Sequence, residues 1–147
     1  MRLIAVTSTT QKRLIFCDKY IGFLKMINED DELKQWCKQY SAYKPAKTHK
    51  SLEDYIYHSL VKDAYDADMV VQNYAQLVEE SGVGEQIGKP TESVLKQIDA
   101  DHILGWIAWH FRRDHFCEGS LIQESIGDGF LLMMLEQYVE KQRPSQE

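Results

Sequence analysis

Long apolar runs, clustered cysteines and an excess of basic residues are all missing from this chain of 147 residues. No apolar run approaches the roughly 20 residues that a membrane helix needs, and residues 1–6 are too few for the apolar core of a signal peptide. We therefore expect a cytoplasmic protein that does not bind membranes. The formal net charge of −6 argues against direct binding to nucleic acid, because phosphate contacts need a basic surface.

Cysteine is scarce as well, and its three copies are far apart, at Cys17, Cys37 and Cys117. An odd number at such spacing excludes a disulfide framework and a paired-cysteine zinc site. Each cysteine lies in an apolar stretch, which is typical of buried, reduced thiols. Glycine-rich loops that follow a strand and cradle phosphate are also missing. We expect neither a cofactor nor a metal ion.

Only three prolines and eight glycines interrupt the chain, and its longer segments repeat their apolar residues with the period of an α-helix. In the clearest segment, residues 12–28, the side chains of Phe16, Tyr20 and Leu24 fall on one face. Similar patterns predict further helices at about 29–40, 51–65, 69–81, 98–113 and 130–142, with short helical turns at 92–96 and after Ser120.

These segments predict an all-α fold, a compact single-domain bundle of six or seven helices over residues 1–147. We expect its ends, residues 1–11 and 143–147, to be flexible. A short strand at residues 3–6 is an alternative, although it would have no partner strand to pair with. The last helix, 130–142, is apolar nearly all round, so a homodimer through that helix is an alternative to its complete burial.

The helix near residues 98–113 is predicted to be the centre of the bundle. At 100° per residue, its apolar residues and one histidine cover about 200° of the circumference, more than a single neighbouring helix could bury. The residues on this face are Ile103, Leu104, Trp106, Ile107, Ala108, His110 and Phe111. We therefore expect other helices to surround most of this one.

The narrow remaining face of the same helix, which we call the Trp109 strip, holds Gly105, Trp109, Arg112 and Arg113. The arginines follow Trp109 by three and four residues, so a guanidinium can stack on the indole ring. Gly105 lies one turn earlier and leaves room for the indole or for a partner. A large aromatic side chain on a polar strip is typical of residues that anchor interfaces. The strip predicts a binding site; the alternative is that a neighbouring helix covers Trp109.

The central helix ends in the run Arg112-Arg-Asp-His-Phe-Cys-Glu-Gly119, and Ile98-Asp-Ala100 stands at its start. The run resembles the R-x-E-R-F-C-D-G pattern of a small bacterial family of unknown function, DUF6508, in which a Leu-Asp-Ala step opens the preceding helix. His115 takes the place of the family's second arginine, and Glu118 that of its aspartate. Weaker similarity extends upstream and downstream over about two-thirds of the chain. The family has no established activity, so the resemblance implies a fold and a focal run but no reaction.

Some side chains in this run have chemical alternatives to binding. Cys117 with His115 nearby suggests a thiolate nucleophile, because a neighbouring cation lowers the pKa of a thiol. His110 and Asp114 have the i, i+4 spacing that can chelate a divalent ion. Alternate residues of a turn rarely face each other, however, and His110 shares its helix face with apolar residues, which favours a histidine satisfied within the core. We favour binding over catalysis.

The sequence therefore predicts a binding domain that recognises a protein partner or a small anionic ligand through the Trp109 strip, without a cofactor or a catalytic residue. Two alternatives stay open. One is an acidic phage or mobile-element protein that inhibits a host defence nuclease, and the other is a small enzyme that uses His115 and Cys117. The candidate binding residues are Gly105, Trp109, Arg112, Arg113, Asp114, His115, Cys117 and Glu118.

Overall fold

A computed structural model describes residues 8–39, 49–116 and 121–143 of the chain, so the alternative strand at residues 3–6 lies outside the described residues. Within these ranges the chain forms eight helices and no strand, which confirms the predicted all-α class. They are α1 (Ser8–Glu29), α2 (Asp31–Gln39), α3 (residues 50–66), α4 (Tyr74–Glu80), α5 (Glu92–Gln97), α6 (Ala100–Phe116), α7 (Leu121–Gly127) and α8 (Phe130–Gln142).

Two elements differ in detail from the predicted helices. In α3, a π-helical turn at Ile56–Leu60 joins the α-helical stretches Lys50–Tyr55 and Val61–Asp66. The helix predicted from residue 69 begins later, at Tyr74. Asp68 has a left-handed backbone, with φ of 59°, and this conformation ends α3 and turns the chain before α4 can start.

Short polar side chains determine where three of the helices begin. Asp30, Thr91 and Asp99 precede α2, α5 and α6, and each accepts a hydrogen bond from the backbone N–H three residues later at 3.0 to 3.2 Å. The first amides of a helix have no partner within the helix, so such a cap contributes about 1 kcal/mol. The central helix therefore starts at a position that the local sequence defines.

The predicted central helix is α6, and its apolar face is buried as expected. Trp106, Ile107 and Ile103 have no exposed surface, and Leu104 and Phe111 have almost none. Helix α6 packs against α4 on one side and against α7 and α8 on another, while α8 packs in turn against α1. The centre of the bundle thus places the C-terminal turns of α6 beside the turn that joins α7 to α8.

Gly105 is not open to a ligand, contrary to its predicted place on the Trp109 strip. The glycine is buried beneath α4, and a Cβ atom built on it would lie 2.5 Å from Cβ of Leu77 and 3.3 Å from the carbonyl oxygen of Tyr74. The space left by the missing side chain is filled by α4 of the same chain. Gly105 therefore allows two helices to approach each other closely, and the packing of α4 leaves no room for a ligand at this position.

Gly105→Ala is expected to lower the free energy of unfolding by about 1–3 kcal/mol, because the added methyl group forces α4 away from α6. The matched control is Gly22→Ala in the middle of α1, where a Cβ meets nothing within 4 Å. Alanine is the better helix former, so this control should gain about 0.5–1 kcal/mol. Urea denaturation followed by circular dichroism measures both values. Stabilisation of both variants would contradict the close packing of α4 on α6.

The apolar face of α8 is buried inside the domain. Its buried residues include Leu131, Met134, Leu135 and Tyr138, and Met133 is partly buried against the same core. Among the described residues, the exposed large apolar side chains lie on α1 and α3 instead: Ile15, Met26, Tyr55 and Tyr65. The width of the apolar face on α8 is thus explained within one chain and gives no reason to expect a homodimer through this helix.

Candidate binding cleft at the end of the central helix

The two tryptophans of α6 have different environments. Trp106 is completely buried, and its indole Nε1 donates a hydrogen bond to Oγ of Ser81 at 3.2 Å. Trp109, three residues later, is partly buried and packs at the edge of the core. The Trp109 strip is therefore neither sealed nor fully open, and its indole lies against the core with Arg113 stacked on it.

The structure separates the two arginines of the strip. The guanidinium of Arg113 lies over the Trp109 ring, 4.7 Å from its centroid, which confirms the predicted stacking. Arg112 instead lines a different pocket of about 260 Å³ together with Val70 and Tyr74. Consecutive residues on a helix point about 100° apart, so the two guanidinium groups serve different surfaces.

A cleft of about 340 Å³ opens beside Arg113. It lies between the last turns of α6, the end of α7, the first residue of α8 and the loop that precedes α5. The residues that line it are Gly88, Lys89, His110, Arg113, Glu124, Ser125, Asp128 and Phe130. Its volume falls at the lower end of the range of about 300–1,000 Å³ that is typical of small-molecule sites.

Four charged side chains line this cleft, and they do not neutralise one another. Among the residues that the structure describes, Arg113 and Lys89 have no carboxylate within ion-pair distance. Glu124 likewise has no basic side chain within that distance. Asp128 lies 3.8 Å from Nζ of Lys38, in a partly exposed pair of the kind that contributes little to stability. Both signs of charge thus remain available on the walls of the cleft.

Ser125 is the one hydroxyl side chain among the residues that line this cleft, and it is only 3 % exposed. Its Oγ is buried without a hydrogen-bond partner within the described part of the chain. An unsatisfied buried polar group costs about 1–3 kcal/mol, and a group in the cleft that hydrogen-bonds to Ser125 would recover that free energy. The hydroxyl of Ser125 is thus a buried polar group beside the cleft whose hydrogen-bonding capacity is unused within the described residues.

His110 forms part of the cleft wall but is not free to bind a metal ion. It is 2 % exposed, and its Nε2 donates a hydrogen bond to the carbonyl oxygen of Ile87 at 2.8 Å. Burial lowers the pKa of His110 to about 4, and the nearby charge of Arg113 acts in the same direction. The ring is therefore neutral at pH 7, and the predicted core histidine is confirmed.

The remaining candidate residues of the strip and run stay predictions. Asp114 and His115 belong to the backbone of α6, but their side chains lie outside the described part of the structure, as do Cys117 and Glu118 entirely. The chemistry suggested for His115 with Cys117, and for His110 with Asp114, thus has no geometry to support it. No group of three or more metal-ligating side chains occurs within the described residues.

The two described cysteines, Cys17 and Cys37, are buried as predicted. Burial raises the pKa of each thiol to about 12, so neither is a thiolate near neutral pH. Nucleophilic chemistry by these two residues is therefore excluded.

Sequence reasoning missed most of the cleft. Lys89, Glu124, Ser125, Asp128 and Phe130 line it together with Arg113, but they are scattered over a loop, two other helices and the turn between these helices. A sequence signal near them is the pair of glycines at residues 127 and 129, just before the helix predicted at 130–142. It indicates a turn and carries no information on which side chains that turn brings to α6.

The described residues form an all-α domain, and a cleft of about 340 Å³ lies at the end of its central helix. The sequence profile of a family of unknown function (DUF6508) matches residues 17–143, and the chain belongs to that family. Comparison with curated proteins and with solved structures gives no significant match. None of the described helices is both long enough and apolar enough to cross a membrane.

Proposed function

We propose that this domain binds a small molecule through an anionic group, and that Arg113 is the principal contact. The observation that carries the proposal is the position of Arg113, which lines the cleft while its guanidinium is stacked on Trp109. Stacking restricts the long side chain before a ligand arrives, so less conformational entropy is lost on binding. A guanidinium held in this way is well suited to a bidentate contact with a carboxylate or phosphate.

Lys89, from the loop before α5, supplies a second cation, and Ser125 supplies a hydrogen-bonding group. The site therefore has the stacked guanidinium of Arg113, the flexible ammonium group of Lys89 and the hydroxyl of Ser125 as polar contacts. The ring of Phe130, also on the wall, offers an apolar surface for the body of the ligand. This combination of a few polar groups and an aromatic wall is typical of small-molecule sites.

A small ligand accounts for these features better than a protein partner does. A tryptophan that anchors a protein interface usually projects into a pocket of the partner, whereas Trp109 is partly buried and packs on its own core. The exposed large apolar side chains that the structure describes lie on α1 and α3, away from this residue. For an inhibitor of a defence nuclease, the net charge of −6 is the sole supporting feature.

The test is a titration of the ¹⁵N-labelled protein with inorganic phosphate, acetate and succinate, followed by NMR. We expect at least one of these anions to shift the indole Nε1–H signal of Trp109. Arg113→Gln should weaken that binding about tenfold or more, because a charge-assisted hydrogen bond contributes about 1.5–3 kcal/mol. Lys62→Gln on α3, far along the chain and paired with Asp66, is the matched loss of a cation and should leave the affinity unchanged.

Two results would overturn the proposal. One is that no anion at millimolar concentration perturbs Trp109 or the residues lining the cleft. The other is that Arg113→Gln binds the anion as tightly as the wild-type protein does.

A further inference from the structure

We infer that the natural ligand of this cleft is zwitterionic, with an anionic group bound by Arg113 and Lys89 and an ammonium group bound by Glu124 and Asp128. The inference rests on the proposed function, since it concerns the same cleft, and it adds the chemical class of the ligand. It is carried by two carboxylates that simple anion binding does not explain.

The basic and acidic side chains of the cleft do not form ion pairs with one another. Arg113, Lys89, Glu124 and Asp128 line a single cleft. Within the described part of the chain, neither of the two cations forms an ion pair with either of the two carboxylates. Elsewhere in the protein, acidic and basic side chains close to each other do pair, as Arg143 does with Asp18 at 2.9 Å. The cations and the carboxylates of the cleft are therefore held apart, with about 340 Å³ between its walls.

The charges on the walls of the cleft determine which class of ligand it can bind. A simple anion would be attracted by the two cations but repelled by Glu124 and Asp128, and repulsion between like charges increases as water leaves a cleft. A ligand without charge would leave Arg113, Lys89 and Glu124 partly desolvated, without an ion-pair partner among the described residues. A ligand that carries both signs pairs with both sets, so electrostatic complementarity selects a zwitterion.

His110 and Ser125 also line the cleft, and neither adds a charge at neutral pH. Burial lowers the pKa of His110 to about 4, so its ring adds no further positive charge at neutral pH. The four charged lining residues carry two charges of each sign, which suits a ligand that also carries both signs. The buried hydroxyl of Ser125, which lacks a partner, is independent evidence that the site is built for a polar occupant. The volume suits a molecule about as large as an amino acid.

The experiment is isothermal titration calorimetry with sets of probes matched in size. Each linear amino acid from glycine to 6-aminohexanoate is compared with the carboxylate and the amine of the same chain length, because the series samples the spacing between the two charges. We expect at least one amino acid to bind about tenfold tighter than both of its single-charge counterparts. Glu124→Gln should weaken binding of that amino acid about tenfold while leaving the carboxylate bound equally or more tightly.

Two controls separate this inference from the proposed function. Arg113→Gln should weaken both the amino acid and the carboxylate, whereas Glu79→Gln, at an exposed position on α4, should change neither. If carboxylates bind through Arg113 but no amino acid binds better, or if Glu124→Gln has no effect, the ligand is a simple anion and the inference is wrong. If neither carboxylates nor amino acids bind, the proposed function fails together with it.

Discussion

Trp106→Ala is expected to lower the free energy of unfolding by about 3–5 kcal/mol, a large part of the stability of a domain of this size. The indole has no exposed surface, so its removal leaves a cavity in the core on the main face of α6. It also removes the hydrogen bond from Nε1 to Ser81, which ties α6 to the end of α4. Urea denaturation followed by circular dichroism gives the difference in free energy.

The matched control is Trp109→Ala, one turn further along the same helix. Trp109 is only partly buried, so we expect a loss of about 1–2 kcal/mol. This variant should also bind anions more weakly, because Arg113 loses the ring on which it stacks. Equal losses of stability in the two variants would show that Trp109 is a core residue like Trp106, and the cleft would then lack its fixed guanidinium.

Acidification from pH 7 to pH 4 is expected to destabilise the wild-type protein by about 3 kcal/mol more than the His110→Asn variant. Burial lowers the pKa of His110 from its ordinary value of 6.5 to about 4 in the folded protein. Between these values the unfolded chain binds a proton that the folded protein does not, so stability falls as the pH falls. At 1.36 kcal/mol per pH unit, the difference amounts to about 3 kcal/mol.

Denaturation of both proteins at several pH values measures this difference. Asn at position 110 does not titrate in this range. Asp63, whose pKa is lowered by hydrogen bonds from Tyr20 and Lys19, also loses stabilising interactions in acid, but it does so in both proteins. An identical pH dependence in wild type and His110→Asn would mean that the imidazole is hydrated in the native protein.

Much of the local structure could be predicted because it depends on neighbours in the sequence. The burial of Trp106 and the partial exposure of Trp109 follow from helical period alone, and the stacking of Arg113 follows from its distance of four residues. The start of α4 could not be predicted in this way. Asp68 adopts a left-handed backbone there, and Met69, next to it, is buried by packing with distant parts of the chain.

In the candidate site, too, contacts between sequence neighbours could be predicted, whereas contacts with distant parts of the chain could not. Helical periodicity predicts one strip for Gly105, Arg112 and Trp109, because all three share a helix face. Helix α4 then covers Gly105, and Arg112 faces a different pocket. Periodicity shows which side chains point the same way, but it does not show what lies opposite them.

By itself, the sequence determined the all-α class, the central position of α6, the stacked Trp109–Arg113 pair and the membership of the DUF6508 family. Only the tertiary structure decided that the loop before α5 and the turn between α7 and α8 meet the end of α6 and enclose a cleft. The physical reason is the range of the interactions involved. Hydrogen bonds and side-chain contacts within a helix join residues three or four apart, whereas the walls of the cleft are brought together by burial of apolar surface from the whole chain.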